Sequence, residues 1–142
     1  MQKSVHKLHG MLRKNGFDKS AFRIVSAVMV SLKRESKVRD PHGAFFSALE
    51  NIDQSVHLMK FRKRTGPPII MPIPLSRERS RDIAISSLVT AAQNASSSER
   101  LSERLLKEIN DASMLRGTAH MQREESLRLA VANRSNSKRS SK

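Results

Sequence analysis

Four cations fall within five residues at Lys60, Arg62, Lys63 and Arg64, and three arginines alternate along Arg77, Arg79 and Arg81. Side chains of this kind do electrostatic chemistry: they displace counterions from phosphates, and Arg adds a bidentate fork that Lys lacks. Like charges packed this closely repel one another without an anionic partner. The three arginines stand at the expected start of a helix, where they oppose the positive end of the helix dipole, a cost that a bound phosphate relieves. Lys19, Lys33 and Arg34 are further candidates, evenly balanced between phosphate binding and plain solvation.

Other chemistry finds little support. The chain has no nucleophile elbow, no phosphate-cradling glycine loop, no HExxH and no carboxylate pair beside a base, so no enzyme, cofactor or small-molecule substrate is expected. His6 and His9 have a helical spacing that suits a metal, but no third ligand accompanies them and no metal site is expected. With no Cys, disulfides and thiolate sites are excluded. No apolar run approaches the roughly 18 residues needed to cross a bilayer, so no membrane partner is expected.

The cations require something to present them. From Val56 to Arg81 the sequence reads as two extended runs joined at Thr65-Gly66-Pro67-Pro68, a ribbon over about residues 55–76 with cations at each foot. Pro72 and Pro74 sit two apart, so both missing N–H groups lie on one lateral edge while the other edge stays free to pair. Ile69, Met71, Ile73 and Leu75 share one face. Such a ribbon is marginal in water unless something else holds it.

Around the ribbon the pattern is helical. Val5, Leu8 and Leu12 line a first segment ending at Asn15-Gly16, and Ile24, Val28 and Leu32 with Phe22, Val25 and Met29 line a second from about Ser20 to Arg34. Asp40-Pro41 caps a third, carrying Phe45, Leu49 and Ile52. Ile85, Leu88, Val89 and Ala92 mark a fourth. Ser96 with Glu99 has capping-box spacing ahead of a fifth, on which Leu101, Leu105, Ile109 and Ala112 follow until Gly117. Thr118 caps a sixth reaching about Asn133. The expected class is mainly α, a six-helix bundle with a protruding two-stranded β-ribbon between helices three and four. Residues 1–134 form a single domain, and 135–142 a basic, serine-rich tail too polar to pack.

Charge is unevenly distributed over this plan. The 142 residues carry a net +14, with ten cations against two anions in residues 1–39 and seven against one in residues 54–81. Residues 99–125 are nearly neutral, with five cations and six anions. A patchwork of this kind indicates a folded body with a cationic face. Apolar residues make up 37%, so the core is expected to be small. The chain lacks Trp and Tyr, and Phe22, Phe45 and Phe46 read as core by spacing, as Met11, Met29, Met59 and Met71 read as core filler; a base-stacking platform is not expected.

The order of these features resembles the universal small-subunit ribosomal protein seven in its bacterial-type form. The resemblance runs from the first helix to Asn133. It is carried by Lys19-Ser20, Asp40-Pro41, Ala48-Leu49, Asn51-Ile52, Lys60, Arg62, Lys63, Pro72 and Arg77-Glu78-Arg79. In the last third it continues through Glu103-Arg104-Leu105, Glu108-Ile109, Asp111-Ala112, Gly117-Thr118-Ala119, Arg123-Glu124, Ala130 and Ala132-Asn133. It implies a structural protein of the small ribosomal subunit that binds the 3′ major domain of small-subunit rRNA and nucleates head assembly. It also implies neighbouring head proteins as partners, and a ribbon tip, Thr65, Gly66, Pro67 and Pro68, near the exit-site tRNA and the mRNA path. RNA is favoured over DNA by the resemblance; the competing expectation is a basic helical DNA-binding or architectural protein, or a scaffold for acidic proteins.

The sequence also departs from that family. It begins almost at the first helix, without the family's basic N-terminal arm, it lacks an aromatic C-terminal tail, and its tip replaces a glycine pair with Thr65-Gly66-Pro67-Pro68. These departures suggest an organellar member, mitochondrial first, with a plastid or the bacterial cytoplasm as alternatives. The acid-free run from Met1 to Phe17 resembles a targeting helix in composition but is read as helix one.

Overall fold

The computed structural model describes residues 2–13, 18–35, 40–62, 64–96 and 98–137. Its elements are α1 (Gln2–Leu12), α2 (Asp18–Glu35), α3 (Pro41–Ile52), β1 (Val56–Phe61), β2 (Ile69–Pro74), α4 (Arg77–Asn94), α5 (Leu101–Ser113), α6 (Thr118–Ala132) and α7 (Arg134–Ser137). The class is mainly α with a ribbon between α3 and α4, as expected, and a short α7 is added. Residues 14–17, which include the expected Asn15-Gly16 stop, lie outside the described residues.

Periodicity explains which face each helix buries. On α2, Ala21, Val25, Val28 and Leu32 recur every three or four residues, and all four are buried. Leu8, Phe45, Ile85 and Leu88 meet them in one core. Helix α5 packs against α2, α3, α4 and α6, and its Leu105, Ile109 and Ala112 are 0% exposed. Its near-neutral charge follows from that position, because an element surrounded by four helices has little outer face on which cations can be solvated.

Two apolar residues expected in the core are exposed instead. Phe22 is 66% exposed and Met59 42% exposed. At about 100° per residue Phe22 lies well off the Val25–Val28–Leu32 stripe, so its i+3 spacing to Val25 did not place it inside. Phe45 is fully buried, with Phe46 edge-on at a centroid distance of 6.4 Å.

Helix ends show where local signals succeeded and where tertiary contacts replaced them. The Asp40 carboxylate accepts from the His42 N–H at 2.9 Å, capping α3, and the Ser76 hydroxyl accepts from the Arg79 N–H at 3.5 Å, capping α4. The N-cap of α5 is Arg100 and not Ser96; the Glu103 carboxylate accepts from the Arg100 N–H at 3.2 Å, since α5 starts where its apolar stripe starts, at Leu101. At the other end of α5, Leu115 takes the left-handed conformation (φ 58°). Its N–H donates to Ala112 O at 3.1 Å, and the Arg116 N–H donates to Asp111 O at 2.8 Å, the paired bonds of a Schellman motif.

Gly117, expected to end α5, is instead the residue before α6, with φ 88°. Thr118 does not cap α6. The Ala119 N–H donates to Glu108 Oε1 at 2.7 Å, so a buried carboxylate from α5 satisfies and neutralises the positive end of α6. A Cβ at position 117 would stand 2.9 Å from that oxygen, in a conformation that L side chains rarely adopt. Gly117→Ala is therefore expected to destabilise the fold by about 1–3 kcal/mol. Thermal unfolding measures it, and an unchanged midpoint would contradict the close approach of Glu108.

Candidate nucleic-acid interface

The ribbon is antiparallel, pairing Val56 with Pro74 and Phe61 with Ile69. One rung below, the Leu75 N–H donates to Ser55 O at 2.8 Å. Bonded and non-bonded pairs alternate, so the Pro74–Val56 and Pro72–Leu58 pairs are non-bonded ones whose amide groups point outward. Both prolines thus lose an N–H on the outer edge alone, as their spacing implied. That edge is covered: α7 packs on β2, and Asn136 Nδ2 donates to the outward Ile70 O at 3.0 Å. The start of the tail therefore packs, against expectation, because α7 lies on β2 and Asn136 supplies a donor to an outward carbonyl of the strand edge; 138–142 lie outside the described residues.

The foot of the ribbon is held by polar contacts that no local pattern announced. The Ser80 hydroxyl, buried in α4, lies against the Asp53 carboxylate and the Gln54 carbonyl. Arg123 Nε, from α6, donates to Asp53 O at 2.8 Å, and α6 packs on β1. Three helices thus meet the α3–β1 joint and give the ribbon the support it lacks alone.

On this frame the candidate cations fall into three groups. Lys60, Arg62 and Arg64 are exposed, and Lys63 lies outside the described residues. They were expected at a foot of the ribbon; the register puts them at its far end. Val56 faces Pro74 at the foot, Lys60 stands roughly 13 Å further along β1, and Arg62 and Arg64 belong to the loop. They adjoin the exposed tip, Thr65 to Pro68, where Gly66 turns the chain with φ 104°. Phe61, 43% exposed, lies between Lys60 and Arg62, a site that sequence reasoning passed over; an aromatic framed by two cations was the available signal.

The second group is split. Arg77 and Arg81 are one turn apart on α4 and line a groove of about 280 Å3 with Phe46, Leu49, Glu50 and Asp53. Arg79, two residues from each, projects to the opposite side of the helix. All three are exposed at the foot of the ribbon.

The third group forms one surface. With about 100° per residue, Lys19, Phe22, Arg23, Ser26, Val30, Lys33 and Arg34 share the face of α2 opposite its buried stripe. No acidic residue interrupts that face. Lys19 and Arg34 mark its ends, roughly 22 Å apart at 1.5 Å per residue.

Several acidic side chains are engaged elsewhere. Asp82 pairs with Lys7 at 2.9 Å, Asp18 lies 3.4 Å from His9 and 3.9 Å from Arg13, and Asp40, Asp53, Glu103 and Glu108 serve caps and joints. Among the described residues, none of Lys19, Lys33, Arg34, Lys60, Arg62, Arg64, Arg77, Arg79 and Arg81 has an ion pair. Among the same residues there is no group of three potential metal ligands and no helix long and apolar enough to cross a membrane.

The fold and charge map define a class: a basic helical bundle with a projecting cationic β-arm. The chain belongs to the ribosomal protein S7p/S5e family, whose family model matches residues 1–134. It is 36% identical over 143 aligned positions to small ribosomal subunit protein uS7c of Stigeoclonium helveticum, covering 98% of this chain and 79% of that relative. It is 34% identical over 111 positions to small ribosomal subunit protein uS7 of Sphingopyxis alaskensis, covering 78% of this chain and 69% of the relative. A third relative, small ribosomal subunit protein uS7A/uS7B of Cereibacter sphaeroides, is 33% identical over 122 positions, covering 86% of this chain and 74% of the relative.

Proposed function

We propose that this chain is a structural component of the small subunit of a bacterial-type ribosome, with no catalytic role of its own, and that it holds ribosomal RNA through its exposed cations. The observation that carries this reading is that the nine described candidate Lys and Arg side chains have no ion pair among the described residues, while Asp40, Asp53, Glu103 and Glu108 serve caps and joints. A surface of unpaired cations gains most from a polyanion whose counterions it displaces. Membership of the family supports a ribosomal polyanion over any other.

In finer terms, the RNA is the 3′ major domain of the small-subunit rRNA, and binding there nucleates the head. Neighbouring head proteins pack on the same bundle. The tip, Thr65 to Pro68, reaches toward the exit-site tRNA and the mRNA path, which its distance from the helical body supports. The ribosome is organellar, mitochondrial first, with a plastid or the bacterial cytoplasm as the alternatives. Relatives in a plastid and in bacteria support the bacterial-type ribosome.

Co-sedimentation of the native protein with small ribosomal subunits from fractionated organelles tests the assignment, together with competition between structured small-subunit rRNA and duplex DNA of equal length. The expected result is sedimentation with the subunit and preference for the rRNA at physiological salt. Preference for the duplex would favour an architectural DNA-binding role, and binding to a protein with little salt dependence would favour a scaffold.

A further inference from the structure

We infer that Phe22, flanked by Lys19 and Arg23 on the outer face of α2, is a stacking platform for an unpaired nucleobase of the bound RNA. The inference rests on the rRNA-binding reading and adds an interaction of a different kind to it. Phe22 is 66% exposed, although the helix has a complete buried stripe without it. An aromatic ring held in water at this exposure forgoes much of the burial it could gain. Lys19 precedes it by three residues and Arg23 follows it by one, so all three lie on one side of the helix.

These residues line a groove of about 420 Å3 together with His9 and Asp18. Asp18 does not oppose an incoming phosphate strongly, because His9 Nε2 lies 3.4 Å from its carboxylate and Arg13 Nη1 3.9 Å. An aromatic face beside two cations that have no ion pair among the described residues matches one nucleotide: the base stacks on the ring while the cations take the flanking phosphates. A protein partner fits less well. Protein interfaces deplete charge at their centres, whereas here the apolar residues, Phe22 and Val30, stand about two turns apart between cations at both ends.

The test compares the full-length protein with Phe22→Ala, Phe22→Trp and Lys19→Ala, measuring affinity for a transcript of the rRNA 3′ major domain across a salt series, with ultraviolet crosslinking mapped by mass spectrometry. Phe22→Ala is expected to weaken binding roughly tenfold with an unchanged salt slope, as removal of one stacked base would, and with an unchanged melting midpoint. Phe22→Trp is expected to retain binding, and Lys19→Ala to lower the slope by about 0.7–0.9. The crosslink in the parent should join a nucleotide to the peptide containing Phe22. Equal affinity of Phe22→Ala and parent, a loss that Phe22→Trp does not restore, or a Phe22 covered by a protein in the assembled subunit each overturns the platform while leaving the rRNA reading intact. No binding of the parent to the transcript overturns both.

Discussion

Replacing Lys60, Arg62, Lys63 and Arg64 together with alanine is expected to lower the slope of log affinity against log salt by roughly 0.7–0.9 for each phosphate that is no longer neutralised. If all four side chains engage phosphates, affinity at about 0.15 M salt falls on the order of 10²- to 10³-fold, the product of that slope change and the logarithm of the salt concentration. The geometry sharpens the expectation. Lys60, Arg62 and Arg64 stand at the far end of an arm whose foot is fixed by Ser80 and Arg123, so they act at a distance from the helical body. The helices should keep their content, since these three exposed side chains are outside the core. Exchanging only the tip, Thr65 to Pro68, for a short glycine-containing turn should leave affinity for the isolated rRNA domain within about tenfold, roughly 1.4 kcal/mol. An unchanged slope in the fourfold variant would remove these residues from the phosphate-binding set. Collapse of binding in the tip variant would show that tip and cations anchor the RNA as one unit.

That outcome matters because the sequence separated two things the fold joins. Read along the chain, the cations after Met59 precede a turn and look like a foot; the register, with Phe61 opposite Ile69, carries them to the far end of the ribbon. Strand periodicity reports which face a residue takes but not which rung it occupies until the partner is known. The prolines were legible for the opposite reason. Pro72 and Pro74 constrain their own backbone, and that constraint holds whichever strand pairs with them.

The same division runs through the helices. Leu105, Ile109, Val28 and Leu32 were legible because burial of a helix face follows from spacing alone. Ser80, Arg123, Asn136 and Glu108 were not. Each donates to or accepts from a residue on another element, and the partner is fixed by packing rather than by distance along the chain. Phe22 shows the converse error: its spacing to Val25 and Met29 suggested a second core row, but only Val25, which is buried, and Met29, which packs against the core, turn inward, while Phe22 at the edge of that row faces water. Among cations, type alone did not separate the two uses. The Arg77 and Arg104 side chains carry the same charge, yet Arg77 lines an open groove while Arg104 Nη1 donates to Ala95 O at 2.7 Å and to Gln93 O at 3.5 Å.

Leu105→Ala is expected to destabilise the free protein by about 2–5 kcal/mol, as removal of a fully buried leucine does when the surroundings relax only in part. Leu105 is 0% exposed on α5, which four helices enclose, so little can move to fill the space. Against a total stability of about 5–15 kcal/mol for a domain, that decrease approaches the limit at which the fold persists. Its neighbour provides the control. Arg104 is half-buried and donates to the Gln93 and Ala95 carbonyls at the C-terminal end of α4, where a cation also meets the negative end of the helix dipole. Arg104→Ala should therefore cost about 1.5–3 kcal/mol, the range for hydrogen bonds to a charged group, and it should do so without changing the salt slope of RNA binding. Thermal unfolding and rRNA binding measured on both variants decide the matter. If Arg104→Ala melts like the parent but lowers the slope by about 0.7–0.9, then Arg104 turns outward to phosphate in the complex, and α5 has a binding face as well as a structural one.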